Sequence, residues 1–151
     1  MKTVKEVLER KSKSFNQISA GALVIEALHM LNSVNLSYLV VMDGDQFKGI
    51  FSERDYTRNV ALKGRSSSTT TVGEVMSIDL PIIGINDSVE QCMNKIDTFK
   101  TRYLLAYEDK KFLGVITIHD LLRMVIASRT EVFDDNLVQR LLDQNENIRV
   151  Y

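Results

Sequence analysis

Gly49-Ile50-Phe51-Ser52-Glu53-Arg54-Asp55 decides how the chain is read, because it returns 65 positions later as Gly114-Val115-Ile116-Thr117-Ile118-His119-Asp120. Each copy is a glycine, two apolar residues, a hydroxyl residue, two variable residues and an aspartate. The apolar pair reads as the end of a buried strand. The hydroxyl stands where a helix begins, followed by Tyr56-Thr57-Arg58 in one copy and Leu121-Leu122-Arg123 in the other. A strand that runs straight into a helix N-terminus leaves backbone N–H groups pointing outward, which suits an anion. The aspartate lies one turn in, on the hydroxyl's side of the helix.

Two readings of the hydroxyl–aspartate pair compete. Ser or Thr followed three residues later by an acid resembles a capping box, which stabilises the helix start and nothing more. The acid is Asp both times, whereas Glu or Gln is the usual partner, and the motif recurs inside a longer repeat. Both details favour a ligand role for Ser52 with Asp55 and for Thr117 with Asp120.

Outward from the motif the repeat continues. Val24, Ala27, Leu28 and Leu31 have the i, i+3, i+4, i+7 spacing of an amphipathic helix face, and Val89, Cys92, Met93 and Ile96 repeat it 65 positions on. Tyr38-Leu39 returns as Tyr103-Leu104 and Phe47 as Phe112. The leading segment Thr3 to Leu8 returns as Thr71 to Met76 with an offset of 68. The first copy therefore carries about three extra residues, placed in Lys11-Ser12-Lys13-Ser14.

Each copy predicts a β-α-β-β-α unit. A short strand (Asn16 to Ile18, Pro81 to Ile83) precedes a helix over roughly 22–34 or 87–98, with Asp87 and Glu90 at capping-box spacing in the second. An apolar strand follows (Tyr38 to Met42, Tyr103 to Tyr107), then a tight turn at Asp43-Gly44-Asp45 or Glu108-Asp109-Lys110. A third strand (Phe47 to Phe51, Phe112 to Ile116) leads to the last helix. Such a unit is too small to bury both sheet faces, so the two copies are expected to pack together. The fold class is α/β (α+β), with copy 1 over 1–65, copy 2 over 66–128 and a tail over 129–151. The tail's apolar cluster, Leu137-Val138 and Leu141-Leu142, predicts a short helix.

Composition sets the outer limits. The apolar and charged fractions, 44% and 26%, are those of a globular protein. A net charge of -1 advertises neither nucleic acid nor an anionic membrane. No apolar run approaches the roughly 20 residues that span a bilayer, and Met1 to Glu6 holds no hydrophobic signal core. The expected location is cytoplasmic. The single cysteine, Cys92, excludes an intramolecular disulfide and falls on an apolar helix face, so a buried thiol is expected. Met30, Met76, Met93 and Met124 read as core. Neither a P-loop nor a Gly-x-Ser-x-Gly elbow occurs, and no acid–base constellation is visible, so no enzyme is expected. No metal site is expected, His119 having no second ligand at suitable spacing.

Two β-α-β-β-α units, each with Gly-apolar-apolar-(Ser/Thr)-x-x-Asp, resemble a tandem pair of CBS domains, a Bateman module. The resemblance covers about residues 3–128. The stretch Ser52 to Tyr56, followed by Lys63-Gly64-Arg65-Ser66-Ser67, is similar to small stand-alone CBS-pair proteins. It implies that Asp55 and Asp120 accept from ribose hydroxyls of an adenine nucleotide, with Ser52 and Thr117 assisting near ribose or phosphate. A carboxylate can accept from both hydroxyls at once. Arg54 and His119, in the first helical turn, are candidate phosphate contacts, as are Arg102 and Lys100 in the second copy. The first copy has Asn35-Leu36-Ser37 there, so the two sites are read as chemically unequal. Ile18, Tyr38, Val40, Ile83, Tyr103 and Leu105 are the candidate adenine contacts; Val40 and Leu105 stand where many relatives carry proline. Lys63 to Thr70 reads as a linker or as a phosphate wrap, and composition favours the linker. The implied ligand is AMP, with ADP, ATP, NAD(H) or S-adenosylmethionine as alternatives, and no required cofactor. The implied assembly is a homodimer acting on a regulated partner. The rival function is a ligand-independent dimerisation platform.

Overall fold

A computed structural model describes residues 2–11, 15–34 and 36–128. The helix expected in the tail, and Asn35, lie outside the described residues. The element order is α1 (Val4–Arg10), β1 (Gln17–Ile18), α2 (Val24–Val34), β2 (Tyr38–Asp43), β3 (Gln46–Ser52) and α3 (Glu53–Tyr56), which widens into a π-helical turn over Thr57–Ala61. Then come α4 (Val72–Val75), β4 (Ile82–Gly84), α5 (Val89–Phe99), β5 (Tyr103–Glu108), β6 (Lys111–Thr117) and α6 (Ile118–Ala127). The β-α-β-β-α order expected of each copy is present twice, preceded each time by a short leading helix.

The sheets are three-stranded, β1-β2-β3 and β4-β5-β6, the first pair parallel and the second antiparallel in each. Both hairpins close through two residues: Asp43 pairs with Gln46 and Glu108 with Lys111. Gly44 and Asp109 take positive φ (59° and 54°), as such short turns require. The pairing register slips at the same place in both copies, after Val41 and after Ala106.

The chain divides into two compact units, and their limits differ from the repeat limits read from the sequence. One unit is continuous, Phe15–Asp79; the other joins the residues up to Ser14 to those from Leu80 onward. The physical reason lies in the leading helices. In the continuous unit, the Val72 and Gly73 N–H groups at the start of α4 donate to Ala22 and Ala20 carbonyls. Val24 and Ile25, at the start of α2, donate to Thr70 and Ser67. The stretch read as a linker thus serves the N-terminus of α2. In the other unit Val4 and Lys5 of α1 donate to Asp87 and Ile85, and Val89 of α5 donates back to Lys2. Helix N-termini carry N–H groups without intrahelical partners, and each leading helix meets this need against the segment that leads into the long helix of its unit.

Each unit has its own cluster of buried apolar side chains. Val24, Ala27 and Leu31 of α2 pack with Leu39, Val41, Phe51, Val60, Val72 and Val75. Val89, Cys92 and Ile96 of α5 pack with Val4, Val7, Leu104, Ala106, Ile116, Leu121 and Met124. The helical spacing seen in the sequence supplies these faces, with one correction. Met93, read as core, is 38% exposed, because its place on α5 lies at the margin of the buried stripe. The helix start is also corrected. The N-cap of α5 is Ser88, boxed with Gln91, while the Asp87 carboxylate accepts from Gly84 N–H.

Candidate functional site

The two Ser/Thr-x-x-Asp motifs lie at strand-to-helix junctions, as the sequence predicts. Ser52 ends β3 and caps α3, and Thr117 ends β6 and caps α6. Both caps are complete capping boxes. Asp55 Oδ2 accepts from Ser52 N–H at 2.8 Å and from the Ser52 hydroxyl at 2.9 Å, while that hydroxyl accepts from Asp55 N–H at 3.3 Å. Asp120 repeats the pattern with Thr117 at 2.8, 3.0 and 3.3 Å. The capping arrangement weighed from the sequence is therefore formed, and it orients both carboxylates.

The second oxygens distinguish the two motifs. Asp55 Oδ1 accepts from the Ser77 hydroxyl at 2.7 Å. Ser77 follows α4 and forms an antiparallel bridge with Ile50, each N–H donating to the other's carbonyl. Gly49 makes this approach possible, since a Cβ there would stand 2.7 Å from the Ser77 carbonyl and 2.8 Å from Met76 Sδ. Burial pushes the Asp55 carboxyl above its usual range, against the lowering effect of the Ser77 and Ser52 bonds and of Arg58. At the other motif the Lys11 ammonium lies 2.8 Å from Asp120 Oδ2 and donates also to the Val115 carbonyl at 2.8 Å. Arg123 Nη1 stands 3.7 Å from Asp120 Oδ1. Beyond the shared cap bonds, Asp55 thus accepts from the Ser77 hydroxyl and Asp120 from the Lys11 ammonium.

The remaining candidates are only partly gathered at these motifs. Arg54 and His119 sit in the first helical turns, both half-buried, and His119 Nδ1 is a buried nitrogen with no hydrogen-bond partner among the described residues. Lys100 takes the left-handed C-cap position of α5, and its exposed ammonium pairs with Asp97 at 3.1 Å. Arg102 is exposed. Tyr38 and Val40 share one face of β2, and Tyr103 and Leu105 the matching face of β5. Ile18 and Ile83 do not join them. Ile18 is paired with Val41 and packs in the helix-side cluster, and Ile83 is paired with Ala106 and does the same. The strand neighbours of Val40 and Leu105 are Gln17 and Ile82, one residue earlier. Lys11, Ser77 and Arg123 are partners of the aspartates that the motif itself does not indicate. Their clues were faint: Ser77 follows the returning Met76, and Lys11 opens the extra residues of the first copy. Among the described residues no group of three or more His, Cys, Asp or Glu is placed to hold a metal.

Comparison with known proteins agrees with this architecture. The family model of the CBS domain matches residues 4–62 and 72–127. The chain belongs to the CBS domain family and carries two CBS repeats. It is 28% identical over 138 residues to the mitochondrial CBS domain-containing protein CBSX3 of Arabidopsis thaliana, covering 85% of this chain and 67% of that one. A solved CBS-domain protein from Burkholderia ambifaria MC40-6 superposes with a TM-score of 0.78 at 30% identity, over 87% of this chain and 99% of its own. CBSX2, solved in complex with AMP, superposes with a TM-score of 0.70 at 20% identity, over 84% and 98% of the two chains. No helix among the described residues is long and apolar enough to cross a membrane.

Proposed function

We propose that the chain is a regulatory adenine-nucleotide-binding protein, with AMP as its ligand and no catalytic role. One observation carries the reading. Each repeat holds an aspartate, 6% or 7% exposed, at a strand-to-helix junction, and at Asp55 the fold tolerates a carboxyl whose charged form burial disfavours. Groups held against such a cost gather at functional sites. The AMP complex of CBSX2, a relative in fold, supports the choice of ligand. On this reading Asp55 and Asp120 accept from ribose hydroxyls, beside Ser52 and Thr117. Arg54 and His119 face the phosphate, with Arg102 and Lys100 as outer cations, and the base lies against the Tyr38–Val40 and Tyr103–Leu105 faces. ADP, ATP, NAD(H) and S-adenosylmethionine are the competing ligands. Binding biases the shape or rigidity of a homodimer, and a regulated partner reads it. We place the protein in the cytoplasm.

A thermal-shift series with these five compounds tests the reading, because a ligand that binds only the folded state raises stability by mass action. A midpoint that rises with AMP concentration is expected. No shift with any of them overturns the reading. The second reading, a ligand-independent dimerisation platform, is favoured by one finding: both carboxylates already serve helix caps, and Asp120 is also ion-paired. A dimer by light scattering together with a flat thermal-shift series would establish it.

A further inference from the structure

Lys11 stands outside both Ser/Thr-x-x-Asp motifs. It follows α1 and reaches across more than a hundred residues of sequence to Asp120. Its side chain is 27% exposed and that of Asp120 6%, so the pair is shielded on the carboxylate side. The ammonium is fixed at two points, Asp120 Oδ2 and the Val115 carbonyl, both at 2.8 Å. Asp120 Oδ2 thereby takes three donors: Thr117 N–H, the Thr117 hydroxyl and Lys11. A carboxylate offers about four acceptor sites over its two oxygens, and Arg123 stands near the second oxygen. Asp55 Oδ2 takes two donors, and its Oδ1 takes one neutral hydroxyl. The two motifs are alike in sequence and each carboxylate takes three donors; they differ in the third, a lysine ammonium at Asp120 and a neutral hydroxyl at Asp55.

We propose that Lys11 determines which site fills, acting as an intramolecular competitor for ribose hydroxyls at Asp120. The proposal rests on the nucleotide-binding reading above and deepens it. A ribose arriving at Asp55 exchanges one hydroxyl donor, Ser77, for another. A ribose arriving at Asp120 displaces a charge-assisted bond, the stronger kind. Asp55 is therefore the high-affinity position, and Asp120 fills only at higher ligand concentration. Arg123 remains beside Asp120 when Lys11 is replaced, so the carboxylate keeps one cation.

The test is calorimetric titration of the full chain with AMP and with adenosine, which has the ribose and no phosphate. Wild-type protein is expected to take up one AMP per chain in a first step, with a second step at least tenfold weaker. Lys11→Met keeps the aliphatic stem and removes the charge. It is expected to tighten the second step about tenfold for adenosine, while Lys11→Arg retains the wild-type gap. Circular dichroism and a cooperative melt establish that each variant is folded, and Lys11→Gln takes the place of a methionine variant that is not. If Lys11→Met leaves stoichiometry and both affinities unchanged, or if the wild type already fills two equal sites, Lys11 has no such role and the nucleotide reading stands. If wild type and variant bind neither compound, both fall.

Discussion

The Ser77 hydroxyl donates to Asp55 Oδ1 at 2.7 Å, tying the segment after α4 to the first helical turn after β3. It is a neutral donor to a carboxylate that is 6% exposed. Ser77→Ala leaves that oxygen without its partner and should lower stability by about 1–3 kcal/mol. Urea unfolding is expected to show a lower midpoint at unchanged slope. An unchanged midpoint would mean that water replaces the hydroxyl.

Asp55 also carries a pH signature. Its folded-state carboxyl is raised above the ordinary value of 3.8, with burial as the first cause. A raised acid binds its proton more tightly in the fold than in the open chain. Its contribution to stability is therefore complete below 3.8 and is lost as pH rises through the folded value. Asp55→Asn cannot titrate. The stability of wild type relative to this variant should fall as pH rises through the window just above 3.8. A difference that is flat or rises across that window contradicts the assignment.

Gly49 should tolerate no side chain. An alanine Cβ would stand 2.7 Å from the backbone oxygen of Ser77, which cannot swing aside as a flexible side chain does. Gly49→Ala should cost about 1–3 kcal/mol, the usual penalty for overpacking. Gly21, with nothing within 4 Å of its Cβ position, is the control and should be nearly neutral.

Ligand binding separates a cap from a binding residue. Asp55→Ala should weaken AMP about ten- to a hundredfold, as expected for removing an acceptor of two buried hydroxyls. Glu53→Ala, two residues away, should change affinity little. A pure cap would cost about 1 kcal/mol of stability and leave affinity intact.

Cys92 should be inert. Burial first, then the Asp87 charge, push its thiol up to about 11, with Lys95 opposing. A disulfide reagent at pH 8 should label the native protein far more slowly than the urea-unfolded chain. Fast labelling of the native protein would place the thiol nearer solvent.

Most of the fold was legible because its signals are local. The face Val24, Ala27, Leu31 and its copy Val89, Cys92, Ile96 follow from helical spacing, and all six are buried. The hairpin turns follow from short polar stretches at matching positions. The capping hydroxyls Ser52 and Thr117 were legible for the same reason. What surrounds the aspartates was not. Lys11 is far from Asp120 in sequence, and Ser77 is 22 residues from Asp55, so neither leaves a periodic trace. The register of β1 on β2 is likewise not written in either strand alone. A shift of one residue turns a side chain to the opposite face, so Ile18 entered the core while Gln17 took the place beside Val40.

The division of the chain has a consequence during synthesis. Phe15–Asp79 is an uninterrupted run, so its internal contacts are all available once Asp79 has left the ribosome. Helix α1, made before that run, meets its partners Ile85 and Asp87 only after the whole unit has been translated behind it. The order of translation therefore sets an order of assembly: the unit begun second is completed first, while Val4 and Val7 wait for the core that will cover them.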